Sequence, residues 1–200
     1  MQTAIEVKQL SKSYGKLLAV DNISLTVQKG TVFGLLGANG AGKSTTIECV
    51  LGTKTADSGT VTILGCNPQK RRRSLFQNVG VQLQECDYQP TIKVYELCEE
   101  TACLYKNPSD WRELCNRFGI GDKIKSAVKN LSGGERQRLF IVLALIPNPQ
   151  IVFLDELTTG LDAKARRDVW EILTDLKSKG LTIFLTSHFM DEVEALCDEI

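Results

Sequence analysis

Net charge is the first thing this 200-residue sequence lacks, since 24 basic and 24 acidic side chains cancel. That removes the bulk electrostatic footprint of a nucleic-acid or polybasic membrane-surface binder, so no nucleic-acid partner is expected and any partner is recognised locally. Long apolar runs are missing too. The longest, Leu139 to Pro147, is well short of the roughly 20 residues of a spanning helix, and Met1 to Lys8 has no apolar signal-peptide segment, so the chain is expected in the cytosol. There is only one histidine, and the seven cysteines contain no C-x-x-C pair. Neither a disulfide framework nor a zinc site is therefore expected, and the cysteines read as reduced thiols, most of them filling the core. Proline is scarce at five residues, while 42% of the chain is apolar, as in an ordinary globular protein.

The first third reads as strands: Ile5 and Val7, then Ile23, Leu25 and Val27 alternating with Ser24 and Thr26. The apolar run Val32 to Leu36 predicts a strand buried on both faces. A glycine loop and a helix over Ser44 to Leu51 follow it, and Val61 to Leu64 supplies another strand. Helical segments are expected at Val94 to Tyr105 and Trp111 to Phe118, as an insertion. Ile151 to Leu154 and Leu181 to Thr186 flank a helix bearing Val169, Leu173 and Leu176 on one face, which predicts a parallel βαβ crossover. The one basic run, Lys70 to Arg73, reads as a solvated face.

Gly37-Ala38-Asn39-Gly40-Ala41-Gly42-Lys43-Ser44 has the spacing G-x-x-x-x-G-K-[ST], placed after a buried strand and before a helix. Glycines let backbone N–H groups converge on an anion, the helix N-terminus adds partial positive charge, and Lys43 supplies a point charge for β/γ-phosphates. Ser44 is positioned to ligate Mg²⁺, and Thr45 completes the set of nucleotide-binding candidates. A phosphate loop of this kind needs a carboxylate at the end of a neighbouring buried strand. Ile151-Val152-Phe153-Leu154-Asp155-Glu156 provides it, with Asp155 for the metal and Glu156 to orient or deprotonate water.

Leu131-Ser132-Gly133-Gly134-Glu135-Arg136-Gln137-Arg138 closely resembles the signature sequence of ATP-binding cassette (ABC) ATPases. The motif order is similar to that family as well: Tyr14, the phosphate loop, Gln84, the signature, Asp155-Glu156, Gly160-Leu161-Asp162, then His188. The resemblance implies an α/β fold with a P-loop NTPase (RecA-like) parallel-sheet core, an N-terminal antiparallel β subdomain and a helical insertion. As one domain over 1–200, it places the β part and phosphate-loop core at 1–85, the helical part at 86–130, and the signature helix with the rest of the core at 131–200. It also implies ATP and Mg²⁺ as ligands, Tyr14 as an adenine platform, Gln84 as a metal and coupling contact, Asp162 in a subunit-interface turn, and His188 touching the γ-phosphate. Ser132, Gly133, Gly134 and Glu135 would face the nucleotide of a second ATPase subunit, head to tail. Gln82 lies on the same strand face as Gln84 and is the competing reading for that contact.

Within the family the sequence looks most like cassettes of bacterial multidrug or antibiotic-type exporters. That implies ATP hydrolysis coupled to export, separate transmembrane permease subunits, and a location on the cytoplasmic side of the membrane. A soluble ABC ATPase acting on ribosomes or DNA is the alternative. Some residues depart from the family pattern. Glu135 stands where Gln is usual and is expected to turn back onto its own helix cap with Ser132, since a carboxylate facing a phosphate is repelled. Leu157 and Ala38 each replace a usual Pro. Cys197 to Ile200 stop where another strand is usual, which predicts a shortened chain with an unpaired sheet edge and marginal stability.

Overall fold

The computed structural model describes residues 2–82, 88–89 and 91–200. In chain order the strands are β1 (Thr3–Tyr14), β2 (Leu17–Gln28), β3 (Val32–Leu36), β4 (Ser58–Ile63), β5 (Val79–Gln82), β6 (Ile151–Leu154) and β7 (Thr182–Ser187). The helices are α1 (Lys43–Val50), the single turn α2 (Arg72–Leu75), α3 (Val94–Cys103), α4 (Trp111–Arg117), α5 (Gly133–Leu145), α6 (Ala163–Ser178) and α7 (Met190–Leu196). No helix among the described residues is long and apolar enough to cross a membrane.

The strands form an antiparallel sheet of order β2-β1-β4 and a parallel sheet of order β3-β7-β6-β5. The β1–β2 hairpin turns on Gly15 and Lys16, with Tyr14 paired to Leu17 and Gly15 at φ +60°. That left-handed conformation is what a two-residue hairpin loop demands. As expected, β6, α6 and β7 make a parallel crossover, but β7 takes the place beside β3. The strand ending in Asp155 is therefore not the immediate neighbour of the phosphate-loop strand: β7 stands between them. Local sequence pattern carries no information on that order, which long-range pairing decides.

Successive residues of the parallel strands enter different cores, so the sheet is covered on both faces, as parallel sheets are. Phe33, Phe153 and Phe184 face the antiparallel sheet, with Phe184 5.3 Å from each of the other two ring centroids. Val32, Val152, Leu154, Ile183 and Leu185 join the core built with α3, α4, α5 and α6. α5 is buried all round from Leu139 to Leu145, the pattern of a helix enclosed by its neighbours. α6 is one-sided, with Val169 and Leu173 inward and Asp162 capping its start by accepting from Lys164 N and Ala165 N at 2.9 and 2.8 Å.

Cys49, Cys98 and Cys115 are buried, and every described cysteine is a free thiol. Burial pushes the Cys197 thiol up to about 12, which keeps it protonated. Cys86 lies outside the described residues. Beside β3, Asp198 N donates to Val32 O and Gly34 N donates to Glu199 O, each at 2.9 Å, so two residues run along that sheet edge.

At Gly80 in β5 a Cβ would stand 1.8 Å from Ala144 O of α5, so strand and helix meet backbone to backbone. Gly80→Ala is expected to lower unfolding stability by about 3 kcal/mol, the upper range for overpacking. Urea unfolding checks this, and an unchanged midpoint would show that α5 moves away freely.

Candidate nucleotide site

β3 delivers the glycine loop, and α1 begins immediately after it. The cap of α1 is Gly42 at φ +87°, which offers no side chain to the helix's first N–H groups. Those donors are available to an anion, and the helix dipole adds to their attraction. Glycine is required at 42 for a second reason: a Cβ there would lie 2.2 Å from Ala19 O of β2. The hairpin backbone thus presses directly on the start of α1, and this contact brings Tyr14 to the phosphate loop.

The result is a cleft of about 570 Å³ lined by Tyr14, Leu17, Leu18 and Ala19 at one end and by Asn39, Gly40, Ala41, Gly42, Lys43, Ser44, Thr45 and Glu156 along the rest. Gly37 and Ala38 lie beneath it, their carbonyls accepting from Lys43 Nζ at 2.7 and 3.1 Å. Lys43, a residue only 7% exposed, thus has its ammonium folded back onto its own loop. Tyr14 is 42% exposed, with Lys12 Nζ 5.6 Å and Lys54 Nζ 5.4 Å from its ring centroid. Asp57 and Glu48 hold these two ammoniums by ion pairs, and both lysines are raised above the ordinary range, chiefly by those bonds.

Asp155 is buried at the end of β6, where its backbone N donates to Gln82 O at 3.1 Å and Gln82 Nε2 donates to its carbonyl at 3.2 Å. Thr186 of β7 donates its hydroxyl to Asp155 Oδ1 and accepts from Glu156 N at 3.0 Å. Glu156 itself has φ +51°, an uncommon conformation for a residue with a side chain. Gln137 of α5 donates Nε2 to Leu157 O at 2.8 Å and lies 3.5 Å from Glu156 O. Neither Thr186 nor Gln137 was singled out from the sequence. For Thr186 a partial signal exists, because a buried hydroxyl near the end of a strand must find a partner, and a carboxylate directly follows the strand predicted to run parallel to it.

The structure thus brings together Tyr14, loop residues 39–45 and Glu156, with Asp155 directly before Glu156 in the chain. His188 is exposed just beyond β7, its ring centroid 4.0 Å from that of Phe189. Ser132, Gly133, Gly134 and Glu135 sit at the N-terminus of α5 and do not line the cleft. Gln84 lies outside the described residues. At α5 Ser132 N donates to Glu135 Oε2 at 2.8 Å and Glu135 N to Ser132 Oγ at 3.2 Å, a closed capping box, while Lys123 Nζ lies 3.3 Å from Glu135 Oε1. Glu135 is therefore turned back to its own helix. The Ser132 bonds, aided by Lys123, hold its carboxyl below the usual carboxylate range.

A sequence profile described as "ABC transporter" matches residues 20–159. The chain is 38% identical over 203 residues to a Nod factor export ATP-binding protein I of Rhizobium etli, covering 99% of this chain and 64% of that one. With a linearmycin resistance ATP-binding protein, LnrL of Bacillus subtilis, it shares 35% identity over 201 residues, covering 98% and 65% respectively. The chain thus spans less than two thirds of these relatives' length. A solved ATP-binding subunit of an ABC transporter superposes with a TM-score of 0.88 at 27% identity, over 98% of this chain and 84% of that one.

A carboxyl whose pKa is depressed by folding stabilises above its unfolded value, about 4.3 for Glu, and that stabilisation is lost as pH falls through the lower folded value. Glu135→Gln is therefore expected to lose less thermal stability than the parent chain between about pH 7 and pH 3. Melting curves across that range test it, and parallel curves would mean that the cap gains nothing from the charge.

Proposed function

The chain belongs to the ABC transporter family, and from that premise we propose that it is the ATP-binding and ATP-hydrolysing subunit of an exporter. The observation that carries this reading is the single cleft lined by an exposed aromatic ring, a phosphate loop at a helix N-terminus and the Glu156 carboxylate. The Nod factor export and linearmycin resistance relatives favour export over the soluble alternative. All of 1–200 acts as one ATPase domain in this reading.

Adenine stacks on Tyr14, which two neighbouring ammoniums border. The loop N–H groups and the α1 dipole hold the phosphates, and Lys43 Nζ exchanges its two carbonyl acceptors for phosphate oxygens. The Ser44 hydroxyl, in the cleft, and the carboxylate of Asp155, directly before the cleft-lining Glu156, are hard oxygen donors, a set that suits Mg²⁺, which pairs one or two carboxylates with substrate oxygens and water. Gln84 joins them by family position. Held by these residues, Mg²⁺ would supply neutralisation of phosphate charge. Glu156 orients a water toward the γ-phosphorus and accepts its proton, and the bond to the bridging oxygen breaks to leave ADP. His188 supports the γ-phosphate.

Ser132, Gly133 and Gly134 do not line the chain's own cleft, and in this reading they serve the nucleotide of a second copy, so that two chains close head to tail on two ATP molecules. Hydrolysis reopens the homodimer, and separate permease subunits at the cytoplasmic face of the membrane convert that motion into transport. The cassette is peripheral there, held by those subunits.

Purified chain should hydrolyse Mg-ATP. Glu156→Gln should lower kcat by about 10²- to 10⁴-fold, as loss of a general base does, while retaining ATP and accumulating as an ATP-dependent dimer on size exclusion. Lys43→Ala should lose ATP binding in equilibrium titrations. Undiminished turnover in Glu156→Gln, or full ATP affinity in Lys43→Ala, would overturn the assignment.

A further inference from the structure

Glu156 projects its carboxylate from a backbone held at φ +51°. A side-chain-bearing residue stays in that region only when its surroundings impose it. Two side chains from different elements do so. Thr186, fully buried in β7, has a single hydroxyl proton, which goes to Asp155 Oδ1, so toward Glu156 N it acts as an acceptor, at 3.0 Å. Gln137 holds the peptide after it: its Nε2 donates to Leu157 O at 2.8 Å and borders Glu156 O at 3.5 Å, a carbonyl that also accepts from Thr159 N at 3.2 Å.

The two grips come from different elements. Thr186 pairs with Leu35 of β3, two residues before Gly37, so it is rigidly tied to the phosphate-loop strand. Gln137 lies about one turn into α5, whose first residues carry the signature. The amide of Glu156 and the peptide that follows it are thus held from β7 and from α5, the helix that opens with the signature. We infer that Thr186 and Gln137 are positioning residues for Glu156, setting where its carboxylate meets the attacking water without touching substrate. This rests on the reading of Glu156 as the base.

The test uses Thr186→Val, which keeps shape and loses the hydroxyl, Gln137→Met, which keeps length and loses the donor, and Thr186→Ser, which restores the hydroxyl. Each is measured by steady-state Mg-ATP hydrolysis in the full chain, alone and combined with Glu156→Gln, with thermal melts alongside. Thr186→Val and Gln137→Met should each lower kcat ten-fold or more with KM for ATP within two-fold, and Thr186→Ser should return kcat to within three-fold of the parent. In the Glu156→Gln background the same substitutions should change the residual rate less than two-fold, because the group they position is gone. Gln137 is only half-buried, so Gln137→Met decides the matter if Thr186→Val does not fold. Unchanged kcat, a rise confined to KM, or an undiminished effect in Glu156→Gln would overturn the inference. If Glu156→Gln alone left kcat intact, the base assignment would fall first; a normal loss there with inert Gln137→Met would sink the positioning role alone.

Discussion

The parallel register of β3, β7 and β6 is the constraint on which the site depends. Phe33, Phe184 and Phe153 stand abreast in that register, as do Gly34 and Leu185, and Leu185 and Leu154. Because the strands run in one direction and end within two residues of each other, the residues that follow them emerge at one edge: the phosphate loop from β3, His188 from β7 and Asp155-Glu156 from β6. Parallel strands ending together leave a crevice at their carboxyl ends where ligands settle. A one-residue slip would turn the phenylalanines out of their core and carry Asp155 away from Thr186, so packing and chemistry hold the same register.

The antiparallel sheet adds what the parallel core does not have, an aromatic surface beside the loop. Its contribution is steric as much as chemical, since the Ala19 carbonyl lies where any side chain at 42 would go. The glycine that frees the N-terminus of α1 for an anion is the same glycine that lets the hairpin approach. Lys12 and Lys54, with their carboxylate partners, then give the Tyr14 ring charged neighbours.

Much of this was legible in the sequence because it is local. The strand Val32 to Leu36, the loop after it, the capping box at Ser132 and Glu135, and the helices near Val94 and Trp111 all follow from residues within a turn or two of each other. Of the cleft's lining, residues 39–45 and Glu156 were readable from motif spacing and Tyr14 from the family resemblance, whereas Leu17, Leu18 and Ala19, brought in by the hairpin, carried no signal. What was not legible is non-local. That β7 separates β3 from β6 depends on pairing between residues more than a hundred positions apart. The partners of Thr186 and Gln137 lie 30 and 20 positions away, and no periodicity predicts which carbonyl a glutamine reaches. Glu156's positive φ is hidden for the same reason, as glutamate carries no conformational signal of its own.

Lys43 has a consequence for discrimination among ligands by the length of their phosphate chain. Its ammonium is already satisfied by the carbonyls of Gly37 and Ala38, so an arriving molecule must present oxygens that make a better pair of acceptors. A charged phosphate oxygen does, since charge-assisted hydrogen bonds are the stronger kind. In the proposed reading of Tyr14 as the base platform, a nucleoside, or a monophosphate too short to reach Nζ, leaves the ammonium on its carbonyls. In that reading the loop registers the tail of the nucleotide apart from its base.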